Sequence, residues 1–294
     1  MPKLRAIIGV ALAALLLVGC GSLLRLSYSQ GPHLTYWWID GYLDLDGEQS
    51  PRLREALDDW FDWHRRTQLA DYAALLARAQ RDVMQASSPQ AMCAWREEAE
   101  RRLDTALERA APALARLVVT LKPEQLQHLE RKLAKNGEEL RADFAQPDRD
   151  ERAAASFKRV LERFEGFYGR LDETQRARLG QLLAASPFDA ERWLAERERR
   201  NADLLRSLAS TGASGDVVQA QGVVRVLAER TLRSPRSDYR PYQVRLAQDN
   251  CVLAATMHNL TTPAQRRHAR DKLKGWEDDL RSLAAVAANG AAQR

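Results

Sequence analysis

Cysteine is scarce: three residues in 294. That excludes a disulfide-dense scaffold and a cysteine-rich metal cage, and no C-x-x-C pair occurs. Glycine and proline are also few, at 15 and 11, so the chain reads neither as a low-complexity linker nor as a disordered polymer. No apolar run reaches the roughly 20 residues that a membrane-spanning helix needs; the longest at the start, Ala6 to Val18, has 13. No stretch alternates β-branched and polar residues, so no strand is expected. Phosphate-binding glycine loops and the nucleophile elbow G-x-S-x-G are absent. His33, His64, His128, His258 and His268 are scattered, and none forms a H-x-x-x-H pair on a helix face. His258 and His268 are ten apart with Pro263 between them. No metal and no cofactor is expected.

What is present begins with the N-terminus. Lys3 and Arg5 precede the apolar run, and Gly19, Cys20 and Gly21 follow it. This is the layout of a secretory signal. Leu17-Val18-Gly19-Cys20 resembles a bacterial lipobox, and that resemblance implies cleavage before Cys20 and acylation of its thiol, with palmitate-like chains. Two or more acyl chains anchor a protein stably where one does not. The expected organisation is a signal peptide over 1–19, a lipidated Cys20 with a tether over 20–32, and one helical domain over 33–294. Gly21 stands where Asp would favour inner-membrane retention, so the expected address is the periplasmic face of the outer membrane, with the inner membrane as the alternative. Loss of Lys3 and Arg5 lowers the formal charge from +5 to +3. That charge is mild, and with a periplasmic address it argues against nucleic acid as a partner.

The rest of the chain is rich in Ala, Leu, Arg, Glu and Gln, all good helix formers. Leu53, Leu57, Trp60, Phe61, His64, Tyr72, Leu75, Leu76, Ala79 and Val83 recur mostly at spacings of three and four, which predicts a helix over 48–85. Ser88-Pro89 opens the next helix, in which Pro112 should kink or end the run. Further helices are predicted over 123–144, 149–169, 173–185, 188–209, 216–231, 239–258 and 263–288. The fold class is all-α, a bundle of about eight to ten helices. His33 to Leu45 is aromatic-rich and reads as a short helix packed on the domain, or as a segment lying on the bilayer surface. Cys93 and Cys251 suit a disulfide in an oxidising compartment; two buried free thiols are the alternative.

One tetrad recurs: "LDGEQ" at 45–49, "LKPEQ" at 121–125, "LDETQ" at 171–175 and "TTPAQ" at 261–265. Each reads as a capping box, with Asp46, Asp172 or Thr262 as the cap and a Gln three residues later reaching back. Lys122 departs from the pattern, because an ammonium cannot accept a hydrogen bond. These stretches resemble the LTxxQ motif of periplasmic helical proteins such as Spy and CpxP. Over a longer span, the lipobox, "YLDLDGEQ", "WFDWHRRTQLADYAALL" and "TTPAQRRHARDKLKGWEDDL" together resemble a family of uncharacterised Gram-negative lipoproteins with a domain of unknown function. That resemblance implies address and helical fold, and no reaction.

Two groups are candidates for partner binding. In "DWFDWHRR", Trp60, Trp63 and His64 share a helix face and form either an aromatic recognition surface or a core seam. In "RRHAR", Arg266, Arg267 and Arg270 cluster at a helix start, where positive charge opposes the helix dipole. The expected function is therefore non-catalytic: a lipid-anchored, periplasm-facing helical protein that binds a protein partner in envelope interaction or assembly. The alternatives are a Spy-like chaperone or stress sensor acting on unfolded clients, and an enzyme acting on the cell wall.

Overall fold

The computed structural model describes residues 21–292. The signal peptide expected over 1–19 and the lipidation expected at Cys20 fall outside the described residues. Twelve helices make up the described chain, and no strand occurs among them. They are α1 (Gly21–Ser29), α2 (Gly31–Leu43), α3 (Gln49–Thr67), α4 (Leu69–Asp82), α5 (Pro89–Val118), α6 (Pro123–Phe144), α7 (Arg149–Tyr168), α8 (Glu173–Ala184), α9 (Ala190–Ser214), α10 (Val217–Leu232), α11 (Arg240–Asn259) and α12 (Pro263–Ala292). The all-α class is as expected, but the count exceeds eight to ten for two reasons.

First, the predicted 48–85 helix divides at Gln68. The Thr67 hydroxyl donates to the Trp63 carbonyl at 2.8 Å, a local bond that competes with the helical ladder and bends it. Second, the expected tether is helical. α1 packs on α12 and α2. Arg25 pairs with Asp279 at 3.3 Å, and the Tyr28 hydroxyl meets His64 Nδ1 at 2.8 Å. A nine-residue helix is marginal alone; tertiary contacts hold it, and periodicity could not reveal them. Pro112 also fails to end its helix, since α5 runs on to Val118. Ala111 and Ala115, on either side of it, are almost fully buried, so packing against α10 and α11 outweighs the roughly 3 kcal/mol cost of an interior proline.

Helix ends follow the sequence closely. Ser88, Asp148, Asp172, Asp189 and Asp216 each cap a helix by accepting backbone N–H groups. Gly215 ends α9 with φ +65°, a left-handed conformation that glycine adopts freely.

The recurring glutamines organise the fold. Each copy of the tetrad lies at the turn of a helix hairpin: α2–α3, α5–α6, α7–α8 and α11–α12. The hairpins associate in pairs through their glutamines. Gln49 and Gln125 exchange side-chain hydrogen bonds at 3.1 and 2.7 Å, and Gln175 and Gln265 exchange them at 2.8 and 2.9 Å. Each Gln amide also donates to the backbone carbonyl five residues before its partner: Gln49 to Thr120, Gln125 to Asp44, Gln175 to Leu260 and Gln265 to Arg170. Each Gln carbonyl accepts the N–H of its own cap residue. The capping boxes are thus half of a larger device that locks two hairpins end to end. Lys122, unable to cap, places its ammonium 2.9 Å from the Asp46 carboxylate across the first joint.

A disulfide between Cys93 on α5 and Cys251 on α11 joins the two hairpin pairs. Between them it closes a chain separation of 158 residues.

Candidate functional site

The first hairpin pair encloses an apolar cleft of about 630 Å³, within the range of about 300–1,000 Å³ typical of small-molecule sites. Helices α2, α3, α5, α6 and α9 form its walls. The α5 wall presents Leu103, Ala106, Leu107, Ala110, Ala113 and Leu114 at helical spacing. The three alanines are why space remains: each leaves unfilled the volume that a leucine would take. Trp60 closes one side. Its indole N–H donates to the Ala106 carbonyl at 3.1 Å, which fixes the ring against α5.

The polar groups of the lining are few, and one of them, Thr35, stands on α2. Tyr42, Asn136 and Arg197 come from α2, α6 and α9 and line the same cleft. The Asn136 amide donates to the Tyr42 hydroxyl at 3.3 Å. Burial lowers the Arg197 pKa from its ordinary value, with the nearby Arg200 guanidinium adding to the effect and the Tyr42 phenol opposing it. Among the described residues no carboxylate forms an ion pair with Arg197. The acids beside it in sequence are engaged elsewhere. Glu196 is fully buried against Ser234 at 2.7 Å and Arg236 at 3.1 Å, and Glu198 meets Arg141 at 3.4 Å.

The predicted aromatic group does assemble. Trp60 stacks on His64 with centroids 4.9 Å apart, and Trp63 lies 5.9 Å from Trp60. It is a half-buried seam between α1, α3 and α5, with Trp60 also facing the cleft. Burial drives the His64 pKa down to about 4, and its Nδ1 engages Tyr28, whose own pKa burial raises to about 12. His64 is therefore neutral near pH 7.

The predicted arginine group divides. Arg266 donates to Thr261 Oγ1 at 3.1 Å and to the Met84 and His258 carbonyls at 3.3 and 3.5 Å, joining the ends of α4 and α11. Arg270 pairs with Asp271 at 2.7 Å, and Arg267 is exposed. His258, just before this group, is buried. Its Nε2 lies 2.6 Å from the Gln85 carbonyl and must donate to it, so Nδ1 accepts from Tyr168 at 2.8 Å.

Sequence reasoning missed Tyr42, Asn136 and Arg197. The signal available was the alanine stripe of α5, interleaved with Leu103, Leu107 and Leu114 in a helix otherwise rich in charge. Among the described residues, no helix is long and apolar enough to cross a membrane, and no group of three or more His, Cys, Asp and Glu is placed to hold a metal ion.

No curated protein and no solved structure matches the chain. A family model does match, over residues 41–219, a span that holds the first Gln pair and Tyr42, Asn136 and Arg197 of the cleft. The chain belongs to this family of unknown function, DUF6279.

Proposed function

We propose that the protein is a non-catalytic binding protein, anchored by lipid at Cys20 on the periplasmic face of the outer membrane, and that it binds its partner in the cleft of the first hairpin pair. The observation that carries this reading is the cleft itself: large, apolar, and with Tyr42, Asn136 and Arg197 at its lining. No carboxylate is among its lining residues, whereas glycoside cleavage needs a facing pair. The composition of the lining therefore supports binding over cell-wall hydrolysis. An environment-sensitive apolar dye should bind the protein and fluoresce, and Ala110→Trp, which fills the cleft, should abolish the signal. Unchanged dye binding in that variant would sink the reading.

The chaperone alternative draws on a second observation. Leu34, Trp37 and Trp38 form an exposed apolar stripe along α2, with Trp37 65% and Trp38 47% exposed. Such a patch marks an interaction surface. If it holds unfolded clients, substoichiometric protein will suppress aggregation of a denatured model substrate, and Trp37→Ser with Trp38→Ser will remove that effect.

A further inference from the structure

We propose that the cleft is a site for a long-chain carboxylate, a fatty acid whose acyl chain lies along α5 and whose carboxylate meets Arg197, Tyr42 and Asn136. This rests on the reading of the cleft as a binding site and adds the chemistry of the ligand.

The two parts of the site demand the two parts of such a molecule. The α5 wall of leucines and alanines offers no hydrogen-bonding side chain, so its complement is a hydrocarbon chain, whose methylenes are favoured on leaving water. Arg197 asks for the opposite. Its side chain is half-buried without an ion-pair partner among the described residues, and the neighbouring Glu196 and Glu198 are bound to other arginines. A planar carboxylate matches the guanidinium fork in shape and charge. The Tyr42 hydroxyl accepts from Asn136, so its own proton is free to donate to the same anion. A neutral lipid would leave Arg197 uncompensated. So would the ester-linked chains expected on Cys20, which carry no anion.

Access also fits an amphiphile. Trp38 belongs to the exposed stripe of α2 and lines the cleft as well. Leu34, Trp37 and Trp38 share one helix face at spacings of three and four, the composition favoured at a membrane surface. A chain leaving the bilayer would pass from that face directly into the cleft.

The test uses the full chain in its membranes and two probes, a diazirine-bearing palmitate and the matching diazirine-bearing alcohol. After irradiation, labelling of α5 peptides is read by mass spectrometry. The expected result is palmitate labelling within residues 103–118, reduced about tenfold in Arg197→Gln and largely retained in Arg197→Lys, in keeping with one charge-assisted contact. Alcohol labelling should be weaker and indifferent to Arg197→Gln, and Ala110→Trp should remove both. If acid and alcohol label equally, untouched by Arg197→Gln but lost in Ala110→Trp, the carboxylate assignment falls and the binding cleft stands. If Ala110→Trp changes neither, both fall.

Discussion

The two hairpin pairs are joined by the same chemistry and filled in opposite ways. At each joint a reciprocal Gln pair, two cap residues and two backbone carbonyls form one network. Beneath the Gln175–Gln265 joint, Leu171, Leu179, Leu253 and Met257 pack with Phe157 and Phe164 into a continuous core, in which Leu179 and Met257 are at most 1% exposed. Beneath the Gln49–Gln125 joint, the α5 wall offers alanines, and the cleft remains. The joints set how the helices meet, and side-chain volume on one helix decides whether the space between them is core or site.

The largest expected effect comes from breaking a joint. Gln175→Ala removes a side chain that is 3% exposed, takes the side-chain partner from the Asp172 N–H and the Leu260 carbonyl, and leaves the Gln265 amide only the Arg170 carbonyl. We expect a loss of about 3–5 kcal/mol in urea unfolding. Gln49→Ala should cost a similar amount if the joints are equivalent, and a double-mutant cycle with Gln125→Ala should give a coupling above about 1 kcal/mol. Additive losses would show that each Gln acts only as a cap for its own helix.

Separating the two pairs comes next. Cys93→Ser should cost about 2–4 kcal/mol by freeing a long loop in the unfolded chain. Phe157→Ala, on the filled side, should cost about 2–3 kcal/mol by opening a cavity.

Acid should weaken both sides, through His64 in the first pair and His258 in the second. Burial lowers both pKa values, that of His64 to about 4. Between the ordinary histidine value of 6.5 and about 4, the unfolded chain takes a proton that folded His64 refuses. Stability is therefore full above pH 6.5 and falls as the pH drops toward 4. His64 alone should account for roughly 2 kcal/mol once solvent screening is allowed for. Unfolding midpoints at pH 7.5 and 4.5 should differ less in His64→Gln than in the parent protein; equal differences would remove His64 from the account.

The smallest effect should be Ala110→Leu, within about 1 kcal/mol, because the added methyl groups enter existing space. A loss above about 3 kcal/mol would mean that the cleft cannot accept volume, and would erase the contrast between the two sides.

The sequence by itself determined the helical class, where every described helix but α1 and α4 begins, and the cap residues that begin several of them. These depend on residues within one turn of each other: Asp172 and Gln175 cap their helix wherever it packs, and Ser88-Pro89 opens one in any context. It also marked Cys93 and Cys251 as the pair available for a bond. Local signals could not say that Gln49 would find Gln125 and Gln175 would find Gln265, since those pairs are 76 and 90 residues apart. Nor could they foresee α1, which is held in place by Asp279 and His64 rather than by its own propensity. The cleft is the clearest case. Tyr42, Asn136 and Arg197 lie on three helices far apart in the chain, each unremarkable where it stands. Only the packing of α2, α6 and α9 around an alanine-lined α5 gives them a common space, because a cavity is a property of the distance between helices, and no single helix encodes that distance.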